Sequence, residues 1–281
     1  MVGICWYKNL WRVSINAHSI KKTEIGFELS HPLFDAIILK QGAQLIHFQP
    51  KGGDPLLWSA SLATFEKGKA FRGGIPLCWP WFGKAGSPSH GFARIVEWEM
   101  VYCKESEESI ALTFELRDTS ATRLIWPYAF TTRLEMCLGK GVKLSLHVDT
   151  QSESTAALHT YFRCYTIDDV SVLGLGSAYT DTLHHGVVCE SQSAMLCINQ
   201  AIDRIYTQPE VKTSLQECKR VIDVTHNNHS DVVVWNPWKE GAEKLVDMHN
   251  DDYKHMLCIE TARISKPLSI HDHLEVTIAI S

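Results

Sequence analysis

CLGKGVKLSLHV, residues 137–148, sets Val142, Leu144, Leu146 and Val148 at every second position, directly after Gly139-Lys140-Gly141. A period of two points one row of side chains to an interior and the other outward, as a strand does. The Gly-Lys-Gly triplet before it is a hairpin-turn signal. The same alternation occurs upstream in Ile110, Leu112, Phe114 and Leu116, and again at the end of the chain in Leu274, Val276, Ile278 and Ile280. Stripes of helical period are scarce, and one short candidate runs from Leu57 to Phe65. Strand signals extend from about residue 25 to residue 281 with no Ser/Pro-rich linker. The expectation is an all-β chain with few short helices. It would form one large antiparallel β-sandwich domain over residues 1–281, whose two packed sheets bury the apolar faces. Residues 1–20 fit either an ordered arm or a first strand.

A chain of 281 residues, 45% apolar and 21% charged, has ordinary globular composition. It can bury roughly 75% of its unfolded surface without staples. The net charge of -5 argues against nucleic acid as the main partner, because phosphate-backbone binding relies on a basic surface. Lys8 and Arg12 interrupt the opening MVGICWYKNLWRV, which makes a poor signal peptide. No apolar run approaches the roughly 20 residues that span a bilayer, so no membrane is expected as partner. The nine cysteines are odd in number and scattered, with no CxxC. They read as free thiols of a cytoplasmic protein and not as zinc ligands or disulfides. With no sign of an exposed apolar patch, the expected state is a monomer.

Three glycine patterns invite a nucleotide or RNA reading and fail it. Leu173-Gly174-Leu175-Gly176 lacks the third glycine and helix of a dinucleotide fingerprint, and Gly139-Lys140-Gly141 lacks the rest of a P-loop. Arg72-Gly73-Gly74 occurs once, among large apolar residues. All three are structural, Arg72 itself excepted.

The polar candidates for chemistry are Arg72, His90, Arg94, His159, Asp203 and Glu260. Taken locally, Glu260 at the end of an apolar run reads as a solvated strand terminus, and His159 in ALHTYF reads as a hydrogen-bonded core histidine. His271-Asp272-His273 is too sparse a set to imply a metal. Trp79, Trp81, Phe82 and the run Trp235-Asn236-Pro237-Trp238 fit two roles. They can anchor core and turns, or stack on the apolar faces of a sugar. One at a time, none of these residues specifies a function.

Their order does. FRGGIPLCWPWFG (71–83), SHGFAR (89–94), LHTYF (158–162), DRIY (203–206), VWNPW (234–238) and CIE (258–260) together resemble the hexose-6-phosphate mutarotases. These are the glucose-6-phosphate 1-epimerases, a branch of the aldose 1-epimerase superfamily. The resemblance covers roughly residues 25–280 and implies the same antiparallel β-sandwich that the alternation gives independently. It implies His159 and Glu260 as catalytic residues, and Arg72, Ser89, His90, Arg94 and Asp203 as substrate-binding or site-lining residues. It also implies a sugar phosphate as partner, with no cofactor and no metal. On this reading Glu260 takes the proton of the C1 hydroxyl, His159 protonates the ring oxygen, and Asp203, with His90, holds sugar hydroxyls. Arg72 and Arg94 would meet the phosphate, and the glycines beside Arg72 would let the backbone approach it, with Trp79 or Trp81 walling the pocket or anchoring the loop. Ile264-Ser265-Lys266-Pro267 lacks the glycine turn usual after the catalytic strand, so a different loop is expected there. Two rival functions share these residues: a free-aldose mutarotase and a non-catalytic sugar-phosphate-binding protein.

Overall fold

The hairpin marked by Gly139-Lys140-Gly141 forms between the strands Phe130–Leu138 and Val142–Thr150, with Leu138 paired to Val142. The computed structural model describes residues 19–281. Of the expectation for residues 1–20, only its end can be compared: Ile20 opens the strand Ile20–Lys22, and the remainder, with Cys5, lies outside the described residues.

Around this hairpin a nine-stranded sheet assembles in the order Met195–Cys197, Ser171–Leu173, Lys212–Gln216, Val221–Asn227, His273–Ile280, Val142–Thr150, Phe130–Leu138, Ile110–Arg117, Glu99–Glu105. A seven-stranded sheet lies against it, ordered Val187–Glu190, Ala178–Asp181, Ile202–Tyr206, Asp231–Asn236, Met256–Leu268, Ser154–Arg163, Leu77–Cys78. Every pairing between these strands is antiparallel. The alternating residues Leu112, Phe114, Leu144, Leu146, Val276 and Ile278 share one buried cluster with Leu158, Phe162, Val232, Val234, Leu257 and Ile259 of the opposing sheet. The core is therefore the space between two sheets, and the protein is a large antiparallel β-sandwich.

Among the described residues the sheets number three, where two were expected. A four-stranded meander, Ile20–Lys22, Gly26–His31, Phe34–Leu39 and Gln44–Pro50, adds Phe27, Phe34, Ile38, Leu45 and Phe48 to the same core. Its last strand joins the rest of the molecule through an isolated bridge between Leu45 and Ile75 and through scattered hydrogen bonds, among them Leu56 N–H to the Phe48 carbonyl at 2.9 Å, too little pairing to continue a sheet.

The short helix expected over Leu57–Phe65 is absent. Leu57 and Ser59 instead bridge Phe162 and Gly73, and Trp58 N–H donates to the Tyr161 carbonyl at 2.9 Å. The apolar residues here are spaced for an extended segment buried on both sides. The α-helices that do form, Ser120–Ile125 and Trp238–Ala242, are too short to show a helical stripe. Thr119 caps the first, its side chain accepting from Thr122 N–H while the Thr122 hydroxyl receives the Thr119 N–H. No described helix is long and apolar enough to cross a membrane.

Candidate active site

The seven-stranded sheet has one face on the core and the other on a cleft of about 870 Å³. Its central strands place residues on that second face by register alone. His159 of Ser154–Arg163 pairs directly with Glu260 of Met256–Leu268, and Glu260 pairs with Val233. One step along the strands, Tyr161 pairs with Cys258, Cys258 with Trp235, and Trp235 with Asp203. Neighbours directly opposite in a ladder share a face, so His159, Glu260, Tyr161, Trp235 and Asp203 emerge together. Cys78, Ala157, Val233 and Ala262 form a small-residue cluster on the same side, and their size leaves room for the hollow.

His159 Nε2 lies 3.1 Å from Glu260 Oε1, with both side chains nearly inaccessible. Among the described residues, His159 Nδ1 and Glu260 Oε2 have no hydrogen-bond partner. Burial raises the Glu260 carboxyl well above the usual range, reinforced by Asp203 and opposed by Arg94. Burial likewise drives the His159 imidazole well below its ordinary value, helped by His90 and Arg94. Both shifts favour the uncharged forms, a neutral carboxyl facing a neutral imidazole. Glu260 is thus buried inside a strand, and the reading of it as a solvated terminus does not hold. Burial also raises Asp203, with Thr182 working against the shift and Asp181 adding to it.

The segment 71–94 forms the wall beside this floor. Leu77–Cys78 adds to the sheet edge by pairing with Leu158 and Ala157. Gly73 and Gly74 hold φ of 132° and 62°, and a Cβ on either would strike Ser59 or the Leu45 carbonyl. Their smallness therefore serves packing against the protein's own backbone, which corrects the expectation of close approach to a ligand. His90 also sits at positive φ, 62°, rare for a residue with a Cβ. Two contacts with Gly83 hold it there: His90 N–H donates to the Gly83 carbonyl at 2.6 Å, and Gly83 N–H donates to Nδ1 at 3.3 Å. With Nδ1 accepting, Nε2 carries the proton. Burial, with Arg94 nearby, lowers His90 to about 4, so it is neutral near pH 7.

Arg94 stands in the 3-10 turn Ala93–Ile95 and donates through a terminal nitrogen to the Ser89 carbonyl at 2.9 Å. Ser89 Oγ donates to the Gly83 carbonyl at 3.1 Å. Arg72 Nε donates to both carboxylate oxygens of Asp247, each at 2.8 Å.

All seven residues singled out in the sequence, Arg72, Ser89, His90, Arg94, His159, Asp203 and Glu260, line the cleft. Asp247 and Lys84 line it too and carried no signal in the sequence. The tryptophans divide between their two roles. Trp79 is fully buried and donates its indole N–H to Ser154 at 3.0 Å, and Trp81 donates to the Pro88 carbonyl at 2.9 Å. Both anchor the loop, while Phe82 and Trp235, with Phe71 and Tyr161, line the cleft. Ile264-Ser265-Lys266-Pro267 is not a loop: the strand Met256–Leu268 runs through it, with Asp231 accepting from the N–H groups of Ile264 and Ser265, each at 2.8 Å. Among the described residues no group of three or more His, Cys, Asp or Glu side chains converges as metal ligands would.

Comparison with known proteins agrees with this architecture. A protein of Salmonella typhimurium named "Putative glucose-6-phosphate 1-epimerase" is 36% identical over 85% of this chain and 83% of its own. A plant protein of the same name, from Cenchrus ciliaris, is 32% identical over 84% of this chain and 77% of its own. The crystal structure of a "putative mutarotase" from Salmonella typhimurium superposes with a TM-score of 0.90 at 33% identity, covering 93% of this chain and 92% of that one. Residues 27–276 match the family described as aldose 1-epimerase, so that fold and sequence together establish that the chain belongs to the aldose 1-epimerase family.

Proposed function

We propose that this protein interconverts the α and β anomers of a hexose 6-phosphate, with glucose 6-phosphate as substrate, by opening and reclosing the ring. The observation that carries the reading is the 3.1 Å contact of His159 with Glu260 on the floor of a cleft that also holds Arg72 and Arg94. The printed names of the relatives agree with it.

Anomerisation moves two protons. Glu260 takes one from the C1 hydroxyl as His159 gives one to the ring oxygen. The C1–O5 bond breaks, C1 becomes an aldehyde, and the C1–C2 bond turns. The reverse transfers then close the ring on the other face. The pair must begin with one proton between its members. In the resting site burial leaves that proton on the carboxyl, and transfer across the 3.1 Å contact creates the carboxylate and imidazolium that react. Such a pair titrates as a unit. It loses activity in acid by gaining a second proton, governed by the lowered histidine, and in alkali by losing its only one, governed by the raised glutamate.

On this reading Asp203 and the His90 Nε2–H hold sugar hydroxyls, and Trp235 and Phe82, which line the cleft, stack on the pyranose. The phosphate, with a charge of about -1.5 to -2 at neutral pH, meets the arginines, whose planar donor forks suit it.

Magnetisation-exchange NMR between the two anomers tests the reading, with glucose run beside glucose 6-phosphate. Faster exchange for the phosphate ester is expected, reduced about 10²–10⁴-fold in Glu260→Gln, with the alkaline limb of the residual rate moved to lower pH, because His159 alone must then hold the proton. Wild-type rates on a Glu260→Gln enzyme would reject the acid–base assignment. No acceleration of either sugar by the native protein would reject the reaction.

A further inference from the structure

Arg72 is not a free arm. It hangs from a glycine turn, and an arginine so placed has several rotatable bonds to freeze before it can grip an anion. Asp247 freezes them. Its two oxygens both accept from Arg72 Nε at 2.8 Å, across 175 residues of sequence, and both side chains are about a quarter exposed, at the cleft wall. The edge of the guanidinium that carries Nε is therefore occupied by Asp247, and the Tyr161 side chain is a second hydrogen-bond partner of Arg72.

Asp247 is itself fixed. Met248, the next residue, is buried with Trp58, Ala242, Tyr253 and Met256. Asp252 Oδ2 accepts from the Ser61 hydroxyl at 2.7 Å and the His249 N–H at 3.0 Å. The segment holding Asp247 is thus tied to residues 58–61, against whose Ser59 the glycine Gly73 beside Arg72 packs.

We propose that Asp247 is a positioning residue that holds Arg72 as the phosphate-gripping fork and so sets the preference of the cleft for phosphorylated over free hexose. The proposal rests on the anomerase reading above. Two effects of Asp247 oppose each other. Its charge repels a phosphate, while its hydrogen bonds aim the arginine. An aimed, charge-assisted donor gains more than one solvent-screened like charge costs at a cleft wall open to water, so positioning dominates.

The test is a set of substitutions at one position, read by anomer exchange on glucose 6-phosphate and glucose, with thermal melts as folding control. Asp247→Ala is expected to raise KM for glucose 6-phosphate about 10–30-fold, the loss falling on KM and not kcat. Asp247→Asn, which keeps an acceptor for Nε, stays within about threefold of wild type. Asp247→Glu keeps the charge but displaces it by a methylene, and its KM rises about 3–10-fold. The double variant Arg72→Ala/Asp247→Ala is no worse than Arg72→Ala alone, because Asp247 acts through Arg72. A charge effect alone would make Glu resemble wild type and Asn resemble Ala, and that pattern overturns the proposal. So does an unchanged KM in Asp247→Ala, or a double variant whose losses multiply. Should the native protein fail to prefer the phosphorylated sugar, or Arg72→Ala retain that preference, the phosphate reading itself falls and takes this proposal with it. Preference lost in Arg72→Ala but kept in Asp247→Ala refutes the positioning role alone.

Discussion

Val142–Thr150 and Ser154–Arg163 follow one another in the chain, yet one belongs to the nine-stranded sheet and the other to the seven-stranded sheet. In the first, Leu144, Leu146 and Val148 enter the core while Lys143, His147 and Asp149 face water. In the second, Leu158 and Phe162 enter the core while Ala157, His159 and Tyr161 face the cleft, and seven consecutive residues are buried. Water satisfies a polar side chain on the outer face of the first strand. On the second face of the other strand only a partner can, and His159 has Glu260. A strand buried on both faces can hold a charge-bearing group only where the fold supplies its complement, and there that group becomes available for chemistry.

Exchanging damage between the two strands sharpens this contrast. Glu260→Gln should abolish nearly all activity and leave the fold at least as stable at pH 7. The sign follows from linkage: the folded-state carboxyl is raised above its unfolded value, so its favourable contribution is present below about pH 4.5 and is lost as pH rises through the folded value. At neutral pH the native carboxyl is a burden that glutamine removes. A lower melting temperature for Glu260→Gln at pH 7 would mean that the pair supports the structure. Leu144→Ala should do the reverse. Leu144 is fully buried, and its truncation should cost about 2–5 kcal/mol, seen as a lower urea midpoint at unchanged m. Exchange per folded molecule should persist, and a proportional loss of activity would join the distant sheet to the site.

The same contrast decides what was legible beforehand. The strands of the nine-stranded sheet advertise themselves because solvent lies on one face, so polar and apolar residues alternate. Ser154–Arg163 and Asp231–Asn236 do not alternate, because both of their faces are filled. The seven cleft-lining candidates became legible only as an ordered set of motifs. The distance from His159 to Glu260 depends on a strand register that neither segment encodes alone. Asp247 gave no signal, since Glu243-Lys244-Leu245-Val246-Asp247 resembles any charged surface turn and its partner is far along the chain. The glycines of Arg72-Gly73-Gly74, read both as structural and as an approach to the ligand, could not be decided beforehand for a related reason: what requires them is Ser59 and Leu45, contacts that exist only in the folded chain.

A second buried histidine supplies the smallest and cleanest break of the comparison. His226 is as inaccessible as Glu260, but both its ring nitrogens are taken: Nε2 by the Thr213 hydroxyl at 3.0 Å and Nδ1 by the Thr261 hydroxyl at 2.7 Å. Thr261 belongs to the opposite sheet, so this imidazole links the two layers of the sandwich and has no atom left for a substrate. It is the hydrogen-bonded core histidine that His159 resembled in sequence. Burial, with His229 close by, lowers it to about 3. In the unfolded chain it takes a proton near pH 6.5, so between pH 3 and 6.5 the unfolded state binds more protons and stability falls as pH falls. From pH 7 to pH 5.5 this one group should remove about 1 kcal/mol. His226→Gln can donate and accept but cannot protonate. The stability gap between wild type and this variant, measured by urea unfolding at the two pH values, should therefore shift by that amount in favour of the variant on acidification. A gap independent of pH would show that His226 accepts a proton inside the folded sandwich, and the distinction drawn here between a structural and a reactive buried histidine would lose its basis.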